Sequence, residues 1–406
     1  MAEGKRQILH IDVNNAFLSW TAMDRLEQGE KIDIREIEAV IGGDESKRSG
    51  IVLAKSMKAK QKGVYTGETL FQARLKCPNL QVFKGNYKSY KKHSNDLYKL
   101  LLNYTDKIER FSIDECFLDM TNYLGKFDLL EKAYEINKRV KRELGFTVNI
   151  GVAHNKLLAK MASDFTKPDR VHTLYEEEIP TKMWPLPVSE LFMLGKKTIP
   201  KLYDMKIRTI GDLAKQDKRL MIKKFGKHGL LMWEYSNGID NSEVNYLEEK
   251  PKGIGNSVTL PMDINDEEKL AEVLLTLAEQ VAYRLRRYNM CAGVVNVQLR
   301  TKDFKDFSHQ KKLLNVTSNT KDIFNVAKEL LKEMYKKGTM IRLVGLRVDK
   351  LISKDEVQLS LFNSEEDKKQ EKLDRVVDSL KNKYGYNSVT RAGKLHSEDI
   401  VKLKDV

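Results

Sequence analysis

ERFSIDECFLDM, residues 109–120, places two adjacent acids, Asp114 and Glu115, inside an apolar run. A second apolar run, QILHIDV (7–13), carries another acid, Asp12, near its end. The first pattern predicts two short strands that meet at a bend, and the second predicts a buried strand. Because neighbouring residues of a strand point to opposite faces, Asp114 and Glu115 can reach one site only from such a bend.

Three carboxylates that converge from two strands would repel one another unless cations neutralised them. Their hard oxygen ligands suit Mg²⁺. Two such ions about 3.5–4 Å apart can stabilise the attacking and leaving oxygens of a phosphoryl transfer. The alternative is a turn cap and a solvated loop, but burial inside apolar segments without a partner is expensive. The pattern therefore predicts a two-Mg²⁺ site at Asp12, Asp114 and Glu115.

The segments around these acids alternate between strand and helix patterns. Apolar residues recur at helical spacing in 129–144, TVNIGVAHN (147–155) resumes a strand, and KLLAKMASDF (156–165) turns helical again. Such alternation predicts an α/β domain. Further along, 193–215 and 223–240 each place a Gly-containing turn between short helical pieces.

The C-terminal part of the chain has the pattern of a separate α+β domain. A polar, Pro-containing stretch before it, 243–254, is predicted to be a linker. The predicted elements of the domain are a long amphipathic helix, two strands and a second helix, at 264–288, 294–302, 340–351 and 321–336. The charge-dense tail carries one amphipathic stripe, which predicts a final helix.

The bulk composition restricts the class of protein. The 406 residues include 72 Lys and Arg against 58 Asp and Glu, a formal charge of +14 that favours a polyanionic partner. Cys77, Cys116 and Cys291 stand far apart without CxxC spacing, which argues against disulfides and structural zinc and suits a reducing cytosol. The sequence shows neither a signal-peptide pattern nor an apolar window of about 18 residues, so we expect a cytoplasmic protein that does not span a membrane.

Three segments carry a resemblance to a known family. HIDVNNAF (10–17), SIDECFLD (112–119) and GVAHNKLLAKMASDFTKP (151–168) resemble, in order and spacing, the signature segments of Y-family translesion DNA polymerases. FGKHG through NGID resembles the end of that family's thumb, and KGIGNSVT (252–259) resembles the entry to its little finger. The resemblance covers about residues 6–362 and points to the bacterial branch, whose members are often damage-induced.

This resemblance implies a right-hand polymerase with an α/β palm, fingers, a helical thumb and an α+β little finger. The implied boundaries are palm 1–19 and 86–180, fingers 20–85, thumb 181–242, linker 243–254, little finger 255–357, clamp-binding peptide 358–362 and charged tail 363–406. The expected fold class is therefore α/β and α+β in several domains.

The resemblance also implies roles for individual residues. Asp12, Asp114 and Glu115 match the family's metal-binding triad, and the main chain at Val13 matches a carbonyl ligand. Phe17 matches the bulky residue under the incoming sugar that excludes a 2′-hydroxyl. From the residues alone, a core aromatic is the competing interpretation of Phe17.

Two lysines are implied as contacts of the incoming triphosphate. Lys167 matches such a contact, although a solvated lysine before a proline fits the sequence equally well. Where the family usually shows Tyr and, three residues on, Arg, this chain has Met57 and Lys60. Lys60 can supply a point charge but not the bidentate fork of Arg, and Met57 supplies no hydroxyl. We therefore expect Lys60, but not Met57, to contact the nucleotide.

Two groups of lysines in the helical stretch are predicted to hold DNA. They are Lys196, Lys197 and Lys201 near the first turn and Lys223, Lys224 and Lys227 near the second. Basic side chains beside exposed backbone N–H groups suit contacts to phosphates without base reading. A solvated basic face is the alternative.

QLSLF (358–362) resembles the short peptide with which bacterial polymerases bind the sliding clamp. Leu361 and Phe362 would fill an apolar pocket, Gln358 would be hydrogen-bonded, and Leu359 belongs to the same contact. An edge strand that closes the preceding domain is the alternative.

Together these features predict a template-directed DNA polymerase that adds deoxynucleotides to a primer, in low-fidelity synthesis past damaged bases. Its expected partners are primer–template DNA, dNTPs and the sliding clamp, and it is expected to act as a monomer. Two other functions remain: a nucleotidyl cyclase-like two-metal enzyme and a non-catalytic DNA-binding scaffold. The cyclase would not need the helical stretch or the clamp peptide, and the scaffold would be expected to lose a triad carboxylate.

Overall fold

The computed structural model describes the backbone and side chains of residues 5–44, 48, 50–123, 128–247, 250–356, 369–385 and 388–389, and the backbone alone of 365–368. The chain divides into two compact units, Met1–Glu248 and Glu249–Val406. The division falls inside the stretch 243–254. Each unit has its own hydrophobic core.

The first unit mixes short strands and helices. Its strands are β1 (Ile8–Val13), β2 (Ala39–Gly42), β3 (Val52–Lys55), β4 (Gln81–Lys84), β5 (Ile108–Arg110), β6 (Glu115–Asp119), β7 (Val148–Ala153) and β8 (Val171–Thr173). Its helices are α1 (Ala16–Glu27), α2 (Met57–Gln61), α3 (Leu70–Lys76), α4 (Tyr87–Leu101), α5 (Leu129–Arg139), α6 (Lys156–Ser163), α7 (Ile199–Asp204), α8 (Ile210–Ala214), α9 (Lys218–Phe225) and α10 (Lys227–Ser236).

A five-stranded sheet with the order β5-β6-β1-β7-β8 forms the centre of this unit. β1 is antiparallel to both of its neighbours, and β7 and β8 are parallel. All six residues of β1 are buried because both faces of the sheet are covered. Leu9 and Ile11 share a core with Tyr90 of α4, whereas Ile8 shares one with Leu158 of α6.

A smaller sheet, β3-β2-β4, carries α2 and α3 in the same unit. β2 is antiparallel to β3 and parallel to β4. Val40, Val52 and Leu70 belong to its core. These elements lie within the range 20–85 that the resemblance assigns to the fingers.

The four short helices α7–α10 follow the sheet. Gly226 joins α9 and α10 with a positive φ of 62°, a conformation that glycine adopts without strain. The loop between α7 and α8 contains no glycine, so the expected glycine turn is wrong there. Lys206 takes the positive φ of 62° instead, while Gly195 precedes α7 and Gly211 lies inside α8.

The second unit packs two helices on one antiparallel sheet. Its elements are β9 (Gly253–Ile264), α11 (Glu267–Arg287), β10 (Met290–Thr301), β11 (Asp306–Thr317), α12 (Thr320–Met334), β12 (Ile341–Asp349), β13 (Ile352–Ser353) and α13 (Glu365–Tyr384). The sheet order is β11-β10-β12-β9, with β13 paired to β10. Val295, Val297 and Leu299 of β10 face the core that contains Leu274 of α11 and Leu330 of α12.

Candidate active site

The register of the central sheet brings two of the predicted metal ligands side by side. Asp12 of β1 is the cross-strand neighbour of Glu115 of β6, and His10 is the neighbour of Phe117. Cross-strand neighbours point to the same face of a sheet. His10, Asp12 and Glu115 therefore share one face, and α6 packs on that face.

A glycine allows α6 to approach the sheet closely. A Cβ atom at Gly151 of β7 would lie 1.8 Å from the carbonyl oxygen of Ala159 in α6. Any side chain at that position would push α6 outward. The close approach places the next residue of α6, Lys160, over the acidic face.

Lys160 is the central cation of the site. Its Nζ lies 3.3 Å from Asp12 Oδ2 and 3.0 Å from Glu115 Oε1, and its side chain is only 9% exposed. A third acid, Asp164, lies 3.2 Å from the same ammonium group. Lys160 was not predicted as a site residue, although a lysine among the apolar residues of KLLAKMAS is a signal for a partnered charge.

Lys167, which the resemblance implies as a triphosphate contact, adds a second ammonium group beside the acids. Its Nζ lies 3.0 Å from Asp12 Oδ1 and 2.8 Å from Asp164 Oδ1. The side chain is 37% exposed, so it reaches the carboxylates from the solvent side. Lys167 is thus a partnered residue of the acidic site.

Asp114 lies in the hairpin loop between β5 and β6, where the sequence predicts a bend. Its carbonyl oxygen accepts a 3.0 Å hydrogen bond from the N–H of Val13, which ties the loop to the end of β1. Its carboxylate accepts a 2.6 Å hydrogen bond from Ser112 Oγ. Asp114 is only partly buried, so its side chain remains accessible.

Burial and the two lysines set the electrostatics of the acids. Burial raises the pKa of Asp12 to about 6, against the opposing charges of Lys167 and Lys160. Burial also acts to raise the pKa of Glu115, but His10 and Lys160 outweigh it and hold that pKa at about 2. Burial lowers the pKa of His10 to about 4, so its ring is neutral at physiological pH. At both acids, burial and the nearby cations thus act on the pKa in opposite directions.

The donor set fits hard divalent cations. Among the residues that the structure describes, no three His, Cys, Asp or Glu side chains are grouped as a metal cage. Instead, ammonium groups pair with Asp12 and Glu115, and a backbone hydrogen bond from Val13 ties the Asp114 loop to the end of β1. Carboxylate and main-chain oxygens are the ligands that Mg²⁺ prefers.

Phe17 lies at the first turn of α1, beside the acidic site along the chain. Its ring stacks on Tyr90 with centroids 4.7 Å apart and an interplanar angle of 12°. Tyr87 meets the same ring edge-on at 5.7 Å. Phe17 remains half-buried, so one part of its ring packs on the core and another part is accessible.

The smaller sheet brings two lysines together. Lys60 is exposed on α2. Burial lowers the pKa of Lys55 at the end of β3, and the charge of Lys60 lowers it further. Lys55 donates a 3.1 Å hydrogen bond to Thr66, and its carbonyl accepts a 2.5 Å bond from Asn15 at the start of α1. Lys55 was not predicted as a site residue. Met57 is 52% exposed.

The lysines predicted to hold DNA all lie on the surface of the α7–α10 region. Lys196, Lys197, Lys201, Lys223, Lys224 and Lys227 are exposed. Lys201 of α7 and Lys224 of α9 line one shallow cavity of about 290 Å³, so the two predicted groups meet there.

The second unit carries a polar surface that was not predicted from the sequence. Alternation along β10 turns Asn296, Gln298 and Arg300 away from the core side of the sheet. Asn296 is paired in register with Arg347 of β12, which extends this outer face. Side chains that donate hydrogen bonds from a flat sheet suit a nucleic-acid backbone. Arg300 is engaged by Asp306 at 2.8 Å, and Arg347 by Asp349 at 2.8 Å.

The predicted clamp-binding residues Gln358, Leu359, Leu361 and Phe362 lie outside the described residues. The predicted tail helix is described as α13. Within the described part of the chain, no helix is both long enough and apolar enough to cross a membrane.

Two parts of the chain match models of one protein family. Residues 11–164 match the impB/mucB/samB family, and residues 251–361 match the C-terminal domain of the same family. Together the matches include the acidic face, α6 and the sheet of the second unit.

Curated relatives resemble the chain over nearly its whole length. A DNA polymerase IV of Clostridium acetobutylicum is 48% identical over 97% of this chain and 99% of its own. A DNA polymerase IV of Acetivibrio thermocellus is 38% identical over 95% of this chain and 97% of its own. DNA polymerase IV 1 of Bacillus subtilis is 34% identical over 97% of this chain and 94% of its own.

A solved structure shares the fold. A Y-family DNA polymerase chimera, Dbh-Dpo4(243-245)-Dbh, matches with a TM-score of 0.75 at 23% identity, over 86% of this chain and 99% of its own. This confirms the predicted mixture of α/β and α+β structure. The chain belongs to the impB/mucB/samB family and thereby to the bacterial branch of the Y-family DNA polymerases.

Proposed function

We propose that the chain performs the family's template-directed DNA synthesis at the acidic face of the central sheet, in translesion synthesis. One observation carries this proposal: Asp12 and Glu115 are neighbours on one face, and a hydrogen bond to Val13 holds the Asp114 loop beside them. In this interpretation residues 1–19 and 86–180 are the palm, 20–85 the fingers, 181–242 the thumb and 255–357 the little finger.

Asp12, Asp114, Glu115 and the main chain at Val13 would hold two Mg²⁺ ions, which supply positive charge to the attacking and leaving oxygens. Lys160 pairs with Asp12 and Glu115, and Lys167 pairs with Asp12. This keeps the acids ionised in a buried place, where an unpaired carboxylate would become protonated.

The incoming nucleotide would be held from two sides. Lys167 can exchange its contact with Asp12 for a phosphate oxygen because its side chain is partly exposed. Lys60 supplies a point charge from the fingers. Phe17, fixed by its stack on Tyr90, would present its accessible part to the sugar and exclude a 2′-hydroxyl.

Exposed cations would hold the primer–template through its phosphates, without base reading. In the thumb these are Lys196, Lys197, Lys201, Lys223, Lys224 and Lys227. The outer face around Asn296, Gln298 and Arg347 would serve the same purpose in the little finger. We further propose that QLSLF binds the sliding clamp and that the enzyme acts as a monomer in the cytoplasm.

Neither alternative function is favoured. A scaffold would have no need of the full triad, and Asp12, Asp114 and Glu115 are all present. A cyclase would not need the second unit, which matches the same polymerase-containing family as the first.

Primer extension with dNTPs on undamaged and damaged templates tests the proposal. We expect extension with Mg²⁺, its loss on addition of EDTA, and products that pass at least some lesions. A scaffold would bind the primer–template without extending it, and a cyclase would consume a nucleoside triphosphate without a primer. Either result would contradict the proposal.

A further inference from the structure

The last helix, α13, turns charged side chains inward. Asp374 and Lys381 are 2% and 7% exposed. Arg286 of α11 lies 3.1 Å from Asp374 and 2.6 Å from Asp378, and Lys381 lies 3.5 Å from Glu279 of the same helix. Ion pairs therefore fix the inner face of α13 on α11.

Three further contacts fix the rotation of α13 about its own axis. Lys354 pairs with Glu371. The N–H of Thr320 donates a 3.2 Å hydrogen bond to Asp374, and Tyr283 donates a 2.5 Å bond to Asn382. The contacts extend from Glu371 to Asn382, about three turns of helix. The helix cannot roll to bury another face without breaking them.

From Leu373 to Tyr384, the outward face of α13 carries apolar side chains. Its exposed side chains include Leu373, Val376, Leu380 and Tyr384, which are 52%, 58%, 37% and 63% exposed. Steps of three and four residues place all four on one side of the helix. A surface helix normally faces its apolar stripe towards the core. Here the stripe points the other way, which indicates a surface that another molecule covers.

The exposed charges that the structure describes around the stripe, from residue 369 onward, are of one sign. Among the described side chains of α13, every exposed charged residue is a cation, namely Lys369, Lys372, Arg375 and Lys383. The chain as a whole carries a formal charge of +14. A second copy of this chain is therefore a poor electrostatic match, and the complementary partner is an apolar surface with an acidic rim.

The position of α13 in the sequence indicates which partner that is. The helix begins at Glu365, three residues after Phe362 of QLSLF. Three residues of any chain span at most about 11 Å. Leu373 follows about 12 Å further along the helix axis. A protein that binds the peptide would therefore have α13 within reach.

We propose that the α13 face (Leu373, Val376, Leu380 and Tyr384 with Lys369 and Lys372) is a second docking surface for the sliding clamp. It fits an apolar, acidic-rimmed groove beside the pocket that takes the peptide. The inference rests on the proposed binding of QLSLF to the clamp. Two linked contacts raise each other's effective concentration, so each strengthens the whole complex.

The test is the affinity of the full-length chain for purified bacterial sliding clamp, by titration calorimetry. Four proteins are compared: the wild type, the triple variant Leu373→Ser/Val376→Ser/Leu380→Ser, the double variant Leu361→Ala/Phe362→Ala, and the control Leu314→Ser. Leu314 is 103% exposed on β11 of the same unit, which matches the chemistry of the change. We expect the triple variant to weaken binding on the order of tenfold, the double variant to weaken it more, and the control to leave it unchanged.

The outcomes separate this inference from the function on which it rests. A triple variant with wild-type affinity, beside a double variant that loses binding, overturns the α13 contact and leaves the peptide contact standing. Wild-type affinity in both variants overturns both the peptide contact and the α13 contact.

Two controls without the clamp test the other possible occupants of the face. If, in the absence of the clamp, the triple variant sedimented more slowly than the wild type, a second copy would be the occupant. If, in the absence of the clamp, the triple variant had a lower melting temperature than the wild type, the chain itself would cover the face. Either result would overturn the proposal.

A charge-reversal variant tests whether the clamp surface has an acidic rim. Lys369→Glu/Lys372→Glu should weaken clamp binding at low salt, and the difference from the wild type should shrink as salt screens the charges. A difference that did not change with salt would contradict an acidic rim.

Discussion

At the scale of single residues, the site depends on how two buried carboxylates coexist. Asp12 and Glu115 share Lys160 as an ion-pair partner. This lysine was not predicted as a site residue, because KLLAKMAS has the pattern of an ordinary amphipathic helix. Only the close approach of α6 at Gly151 shows where that lysine points. The carboxylates themselves were predictable, because an acid within an apolar run is costly unless a cation serves it.

Lys160→Met tests this charge balance. Removal of one partner from a buried ion pair costs about 3 kcal/mol, so the variant should unfold at lower urea concentration in EDTA. Mg²⁺ should recover more of the free energy of unfolding in the variant than in the wild type, because a ligand of the native state stabilises it. Lys91→Met, an exposed change on α4, should have little effect. Equal losses with Mg²⁺ and with EDTA would show that the acids do not bind the ion.

Phe17→Ala tests the sugar contact. Removal of the ring should open space under the ribose, so ribonucleotide addition should rise while deoxynucleotide addition changes less. Phe17→Tyr keeps the bulk and the stack on Tyr90 and should keep the discrimination. The measurement is the ratio of kcat/KM for dNTP and rNTP. An unchanged ratio in Phe17→Ala would make Phe17 a core aromatic only.

At the scale of elements, periodicity predicts the long amphipathic helices well. The helix predicted at 264–288 is observed as α11, and that at 129–144 as α5 with a π-helical turn that ends at Gly145. β9 and β11 were not predicted. β11 is mostly exposed and polar, and it is a strand because β10 offers a partner, not because its own pattern demands one.

The α7–α10 region allows a test of DNA holding. Lys201→Ala/Lys224→Ala removes two cations that share one cavity. Each phosphate contact contributes about 0.9 to the slope of log affinity against log salt, so the slope should fall by about 2. The loss should be the same for any DNA sequence, as measured by fluorescence anisotropy over a salt series. Lys218→Ala, where the lysine already faces Glu234 at 3.5 Å, is the control. An unchanged slope would make the lysines a solvated face.

At the scale of the whole molecule, the proposed catalytic site and the proposed docking surface lie in different units. The acidic face lies in the first unit and α13 in the second, each with a separate core. Composition and motif order predict several domains and the region of their boundary. The inward charges of α13 could not be predicted, because they depend on Arg286 and Glu279, about ninety to a hundred residues earlier in the chain.

Residues 250–406 expressed alone test this division. The core of the second unit includes only its own residues, so the fragment should unfold in one cooperative thermal transition. It should bind the clamp as tightly as the full chain does and should not extend primers. A fragment without a transition would show that the second unit needs the first.

Single-turnover primer extension by Asp114→Asn tests the central claim most directly. The change keeps the size of the side chain and removes the charge proposed to hold Mg²⁺. We expect extension to fall by at least about a hundredfold, since metal ions stabilise the transition state by several kcal/mol. Affinity for primer–template should stay within about twofold, because phosphate contacts elsewhere hold the DNA. The control, Asp106→Asn, alters an exposed acid just before β5 and should extend normally. Extension by Asp114→Asn at the wild-type rate would contradict the assignment of the active site.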